Sequence, residues 1–99
     1  MSLPAVVRGR NALGREFEEQ TEISALNAGS ARFYLEERIL IGAKIWLMAD
    51  IPPTVLLKIP LKLNLAGSVT MVQAQKGTPK RQVVSIRLDK HFRLYGLNP

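Results

Sequence analysis

The sequence predicts an all-β chain of five or six short strands that closes into a small barrel, and three observations carry that expectation. Short runs alternate apolar with polar residues at the period of two expected of strands with one buried face. Breaks rich in Gly, Pro, Asn and Ser recur roughly every 8–12 residues, the spacing of a sandwich or barrel. Where helix formers do cluster, over residues 16–27, no helical stripe accompanies them: three and four residues on from Phe17 stand Gln20 and Thr21, then Ser24. A barrel is expected over an open sheet because closure removes exposed strand edges that so small a sheet would struggle to cover.

Taken in order, "AVVR" (Ala5 to Arg8) reads as a short β-branched strand, and "GRNALGRE" as a loop in which Gly9 and Gly14 bracket Asn11. In the next strand Phe17, Thr21, Ile23 and Ala25 share one phase, while Glu18, Gln20, Glu22 and Ser24 share the other. Glu19 is the one intruder on the apolar side. "SARFYL" sets Ala31, Phe33 and Leu35 against Arg32 and Tyr34. "AKIWLMA" sets Ile45 and Leu47 against Lys44, Trp46 and Met48. "LKLNLAGSVTMVQA" sets Leu61, Leu63 and Leu65 against Lys62, Asn64 and Ala66. Gly67 stands in mid-run, where a bulge or sharp bend is the usual cause. "QVVSIRL" (Gln82 to Leu88) supplies the last strand, and "IPP" and "KGTPKR" punctuate between strands.

The chain's 99 residues suit one domain, 1–99, in which "MSL" at positions 1–3 is compatible with an added start. A chain of this size buries roughly 60–65% of the surface its unfolded form exposes, enough for one modest core. There is no cysteine, which excludes disulfides and thiolate metal sites and fits a reducing, cytoplasmic setting. Lys44, Asp50, Lys58 and three prolines interrupt the most apolar region, "ILIGAKIWLMADIPPTVLLKIPLKLNL", so no insertion into a membrane is expected. The N-terminus lacks the long apolar centre of a signal peptide. Of the net charge of +6, residues 39–99 carry the excess, with nine basic side chains against Asp50 and Asp89. Such a surplus attracts nucleic acid, anionic nucleotides or acidic proteins alike.

The run "VVRGRNALGREFEEQTEISALNAGSARFYLEERILIGAKIWLMADIP", followed by "LAGSVTMV" and "VVSIRL", resembles the PilZ domain. That family is a six-stranded barrel serving bacteria as a receptor for cyclic di-GMP. The likeness covers most of the chain and lies in the general layout. The family reads its ligand with an Arg-x-x-x-Arg pair leading into the barrel and an Asp/Asn-x-Ser-x-x-Gly motif on and after an early strand. Guanidinium groups fork onto phosphate and stack on guanine faces. The Asp/Asn and Ser, two apart on a strand, meet a guanine edge together, and the Gly permits close backbone approach.

Aligned on "GSARFYL", the resemblance places the second motif at "ALNAGS", where Ala25 replaces the acid or amide, Asn27 the serine and Ser30 the glycine. The rival register, "EISALN", keeps Ser24 but puts Glu22 first and Asn27 last; the first register keeps Phe33 and Leu35 in strand phase. Arg8, Arg10 and Arg15 are spaced by two and five, so the arginine pair does not exist near the N-terminus; the family's pair would lie further upstream. Arg8, Arg10, Ala25, Asn27 and Ser30 are therefore the ligand-site candidates the resemblance implies, in a degraded form. Each unmade polar contact to a guanine edge costs about 1–3 kcal/mol. Two or three such losses sum to roughly 4 kcal/mol, about a thousandfold in affinity.

Each candidate has a plainer reading. Asn27 to Ser30 can be a turn and no more, and Arg8, Arg10 and Arg15 solvated charges beside a loop. "KGTPKR" reads as a charged hairpin tip or as a contact for an acidic partner, and "EFEEQTE" as a solvated strand face. His91, without cysteine or a second histidine, reads as packing near the C-terminus. Trp46 reads either as an exposed anchor for a partner or as packing beneath "FRLYGLNP", and Met48 and Met71 as core fillers. No nucleophile–base pair, glycine-rich phosphate loop or acid dyad can be assembled, so an enzyme is not expected.

The expectation for function is a PilZ-like adaptor in bacterial cyclic di-GMP signalling, with weak or lost binding of that dinucleotide, no other cofactor and a protein partner. The alternatives are a basic barrel for single-stranded nucleic acid, which has few outward aromatics to stack bases on, and a ligand-free interaction barrel.

Overall fold

A computed structural model describes residues 2–51, 53, 61–77 and 80–90. Its six strands are β1 (Leu3–Arg10), β2 (Glu16–Leu26), β3 (Ser30–Leu35), β4 (Lys44–Ile51), β5 (Leu61–Ala74) and β6 (Gln82–Leu88). All pair antiparallel, in the order β1-β2-β3-β6-β5-β4, and β4 returns to β1 to close the barrel. Alternation decides which side chains enter: in β4 Ile45, Leu47 and Ala49 are buried, whereas Lys44, Trp46, Met48 and Asp50 face out. Phe33, Ile23, Leu35, Leu47 and Ile86 fill the interior. Burying each large apolar side chain stabilises the fold by roughly 1.5–3 kcal/mol.

Two long strands bend so that four shorter ones can close. β5 pairs with β4 over Leu61–Ser68 and with β6 over Gly67–Ala74. β2 pairs with β1 as far as Ile23 and with β3 from Ile23 to Leu26. The barrel is thus two half-sheets sharing β2 and β5 as corners, and bulges supply part of the bending. In β2 the bulge falls at Ser24, between Ile23 and Ala25. It reverses the phase, so Ala25, expected inside, is exposed and Leu26 turns inward instead. In β5 the bulge lies between Val69 and Met71, not at Gly67.

Gly67 answers to a different constraint. It pairs with Ile45 on one side and Leu88 on the other, and a Cβ there would stand 2.3 Å from the Arg87 carbonyl oxygen. Only a residue without a side chain lets β5 pass this close to β6.

Sequence and structure part at several further points. β1 extends beyond Ala5–Arg8 at both ends. Met48 is exposed and Met71 half-buried, so neither is a core filler. Glu19, the intruder, is half-buried for a reason. β2 and β3 separate beyond the Ile23–Phe33 pair, and the Glu19 carboxylate reaches across to accept the Glu36 N–H at 2.8 Å and the Glu37 N–H at 3.1 Å. Thr21 helps to span the same opening, its hydroxyl donating to the Tyr34 carbonyl at 2.6 Å. His91, Phe92 and Tyr95 lie outside the described residues, as do Pro52, Thr78 and Pro79 within the two punctuating segments. Among the described residues no helix is long and apolar enough to cross a membrane.

Two consequences are measurable. Gly67→Ala is expected to cost about 2–3 kcal/mol, because the clash is with backbone and only a parting of the strands relieves it. Urea unfolding measures this, and wild-type stability would refute the close approach. Glu19→Ala is expected to cost about 1–3 kcal/mol through the loss of two hydrogen bonds to a charged acceptor. Glu19→Gln, which keeps one acceptor oxygen, should fall between, as read by unfolding and by hydrogen exchange at residues 36 and 37.

Candidate functional site

The five candidates divide between the two ends of β2. Arg8 and Arg10 stand on β1, opposite Glu18 and Glu16 near the start of β2. Asn27 and Ser30 form the turn that follows its other end. The length of a strand separates the two groups, so they do not build one site.

At the first end the arginines are engaged with neighbours. Arg8 Nε lies 3.2 Å from Glu18 Oε1, and Arg10 lies 3.9 Å from Glu16 while donating to the Gly14 carbonyl at 3.1 Å. All four side chains are largely solvated, so the ion pairs are worth little to stability. The loop beside them is organised by Asn11, whose Oδ1 accepts the N–H groups of Leu13 and Arg15. It is tied to the β3–β4 connection by the Ala12 N–H donating to the Arg38 carbonyl at 2.8 Å. Leu13, Leu40 and Ile41, on these two connections, are exposed.

The second end is a self-contained turn. Asn27 Oδ1 accepts from the Gly29 N–H and the Ser30 N–H, each at 2.9 Å, and from the Ser30 hydroxyl at 3.1 Å. The Asn27 N–H donates to the Ser30 carbonyl at 3.0 Å. This is the arrangement in which an asparagine side chain imitates a backbone turn. Neither Asn27 nor Gly29 needs positive φ, which among the described residues is confined to Gly14, Gly42 and Gly77. The acceptor oxygen of Asn27 and the hydroxyl hydrogen of Ser30 therefore serve each other. Ala25, just before the turn, offers no polar group.

On the outer surface of β1 and β4, Arg8 pairs across the ladder with Trp46 and Val6 with Met48. Trp46 is 50% exposed and Met48 37% exposed. Lys44 Nζ sits 5.9 Å from the Trp46 ring centroid while also pairing with Asp89. A groove of about 810 Å³ runs past Arg8, Glu18, Trp46, Met48 and Asn64. A second, of about 510 Å³, lies at the opening between β2 and β3, walled by Glu19, Glu22, Glu36 and Tyr34, with Arg81 stacked 4.3 Å from the Tyr34 ring centroid. Among the described residues no group of His, Asp and Glu could hold a metal ion.

Sequence reasoning passed over Arg32 and Arg87. Alternation already turned Arg32 outward, but its proximity to Arg87 depends on β3 pairing with β6, more than fifty residues further along the chain, which alternation cannot reveal. Compared with known protein families, with curated proteins and with solved structures, the chain finds no match in any of the three.

Trp46 is the chain's one tryptophan, so its surroundings can be read directly. Emission close to that of solvated indole and efficient quenching by acrylamide are expected in the folded state. A blue-shifted, protected signal would instead mean that the ring is covered.

Proposed function

We propose that the chain is a PilZ-like module of bacterial cyclic di-GMP signalling, acting in the cytoplasm as an adaptor with weak or lost dinucleotide binding and a protein as its working partner. The observation that carries this reading is the turn at Asn27–Ser30 between β2 and β3 of a closed six-stranded barrel. It occupies the place at which the resemblance expects ligand-reading side chains, yet the Asn27 acceptor oxygen and the Ser30 hydroxyl hydrogen are spent on the turn itself. To accept from a guanine edge, Asn27 Oδ1 would have to surrender hydrogen bonds that hold the turn, and Ala25 has no polar side-chain group to offer. Arg8 and Arg10 belong to the far end of β2 and cannot add their charge there. Support for the partner comes from the outward Trp46 and Met48 beside Arg8. Tryptophan and arginine dominate binding energy at protein interfaces, and methionine adapts readily to varied surfaces.

Calorimetric titration with cyclic di-GMP at physiological salt tests the ligand half. No saturation below about 1 mM is expected, from a loss of roughly 4 kcal/mol relative to a micromolar receptor. A dissociation constant near 1 μM would overturn it.

A further inference from the structure

We propose that the outer face of β3 and β6 is a binding face for phosphodiester groups, built by Arg32 and Arg87. The inference does not depend on the family resemblance. β3 and β6 pair so that Arg32 stands opposite Ser85 and Arg87 opposite Ser30, which makes the two arginines diagonal neighbours on one face. Both are exposed, and neither forms an ion pair among the described residues.

The surroundings preserve that charge. Across the ladder on β2 the residue facing Arg32 is Ala25, which the bulge at Ser24 turns outward and which carries no carboxylate. On β5 the residue facing Arg87 is Ser68. Two acids on adjoining segments are engaged elsewhere, Asp89 with Lys44 and Glu22 with the Ser2 hydroxyl. The arginines are thus flanked by the hydroxyls of Ser30, Ser68 and Ser85, with Arg32 Nε 3.5 Å from Ser85 Oγ. Two forked cations beside the small hydroxyls of Ser68 and Ser85, with the Ser30 hydroxyl turned to Asn27, suit the non-bridging oxygens of phosphodiesters. Neither of the two grooves described above is lined by these arginines, and binding is through the backbone of the ligand.

A phosphodiester can come from a cyclic dinucleotide or from a single nucleic-acid strand, and two probes separate these sources. The full chain is titrated at low salt with cyclic di-GMP and with labelled oligothymidylate, alongside three variants. Binding of at least one probe is expected. Arg32→Ala/Arg87→Ala should weaken it on the order of tenfold or more. Ala25→Asp, an exposed change that gives Arg32 a carboxylate across the ladder, should weaken it similarly. Lys62→Ala, which removes a charge from the other half-sheet, should alter it less than about twofold. For the oligonucleotide, two phosphate contacts give a slope of about −1.4 in log affinity against log salt, falling towards zero in the double variant. Preference for either probe identifies the source and supports the face. Absence of binding by both probes, or binding indifferent to the double variant and to Ala25→Asp, would overturn the proposal.

Discussion

Everything in this barrel depends on how closely β5 passes β6 at Gly67. There the strand leaves its pairing with β4 and takes up its pairing with β6, and its backbone lies against the backbone of Arg87. A side chain of any size at this corner would push the half-sheets apart. Separation would expose strand edges and strip cover from the interior that Phe33, Ile23 and Leu47 fill. A Cβ 2.3 Å from the Arg87 carbonyl oxygen has no room to settle, because both partners are main chain, which cannot swing aside as a flexible side chain does. β2 meets the same demand at the opposite corner by a bulge at Ser24 and by an opening beyond it, bridged by Glu19 and Thr21.

The corner in β2 also determines what the surface can recognise. By inserting a residue, the bulge takes Ala25 out of the phase that Phe17 and Ile23 establish and presents it outward opposite Arg32. An acid at that place would have neutralised the guanidinium. Alanine leaves the charge in the open, and the next polar side chains, Asn27 and Ser30, close on each other. The same few residues therefore make the surface poor in groups that read a base and rich in groups that attract a phosphate. That asymmetry links the proposed loss of dinucleotide recognition to the proposed backbone-directed face.

Much of the fold was legible because alternation survives wherever a strand is straight. "SARFYL", "LKLNLAGSVTMVQA" and "QVVSIRL" match β3, β5 and β6, and the inward set of β4 follows from Ile45 and Leu47 alone. Alternation failed where the backbone departs from the regular pleat. A bulge carries no residue signature of its own, so Ser24 went unsuspected, and in β5 Gly67 drew attention to the corner while the bulge lies just beyond it, between Val69 and Met71. Glu19 looked like an error in the pattern because its partners are the amides of a loop, not a neighbour in the chain. The site was less legible still. Arg8 and Arg10 look adjacent to the Asn27 turn only if β2 is ignored as a spacer, and the nearness of Arg32 to Arg87 is a property of strand order.

The seam between β1 and β4 joins Ala5 to Ala49, about 44 residues apart in the chain. Hairpins such as β1–β2 can form early from local contacts, but this seam, like the one that joins Ser30 to Arg87 across 57 residues, needs distant segments to meet. Long-range pairing of that kind slows folding, since the entropy of closing a large loop is lost before its contacts form. A nascent chain would meanwhile hold β1 as an open ribbon edge, able to recruit a stray strand from a neighbour. The same ring that pairs β1 on both sides in the finished barrel thus makes its assembly the interval of greatest vulnerability.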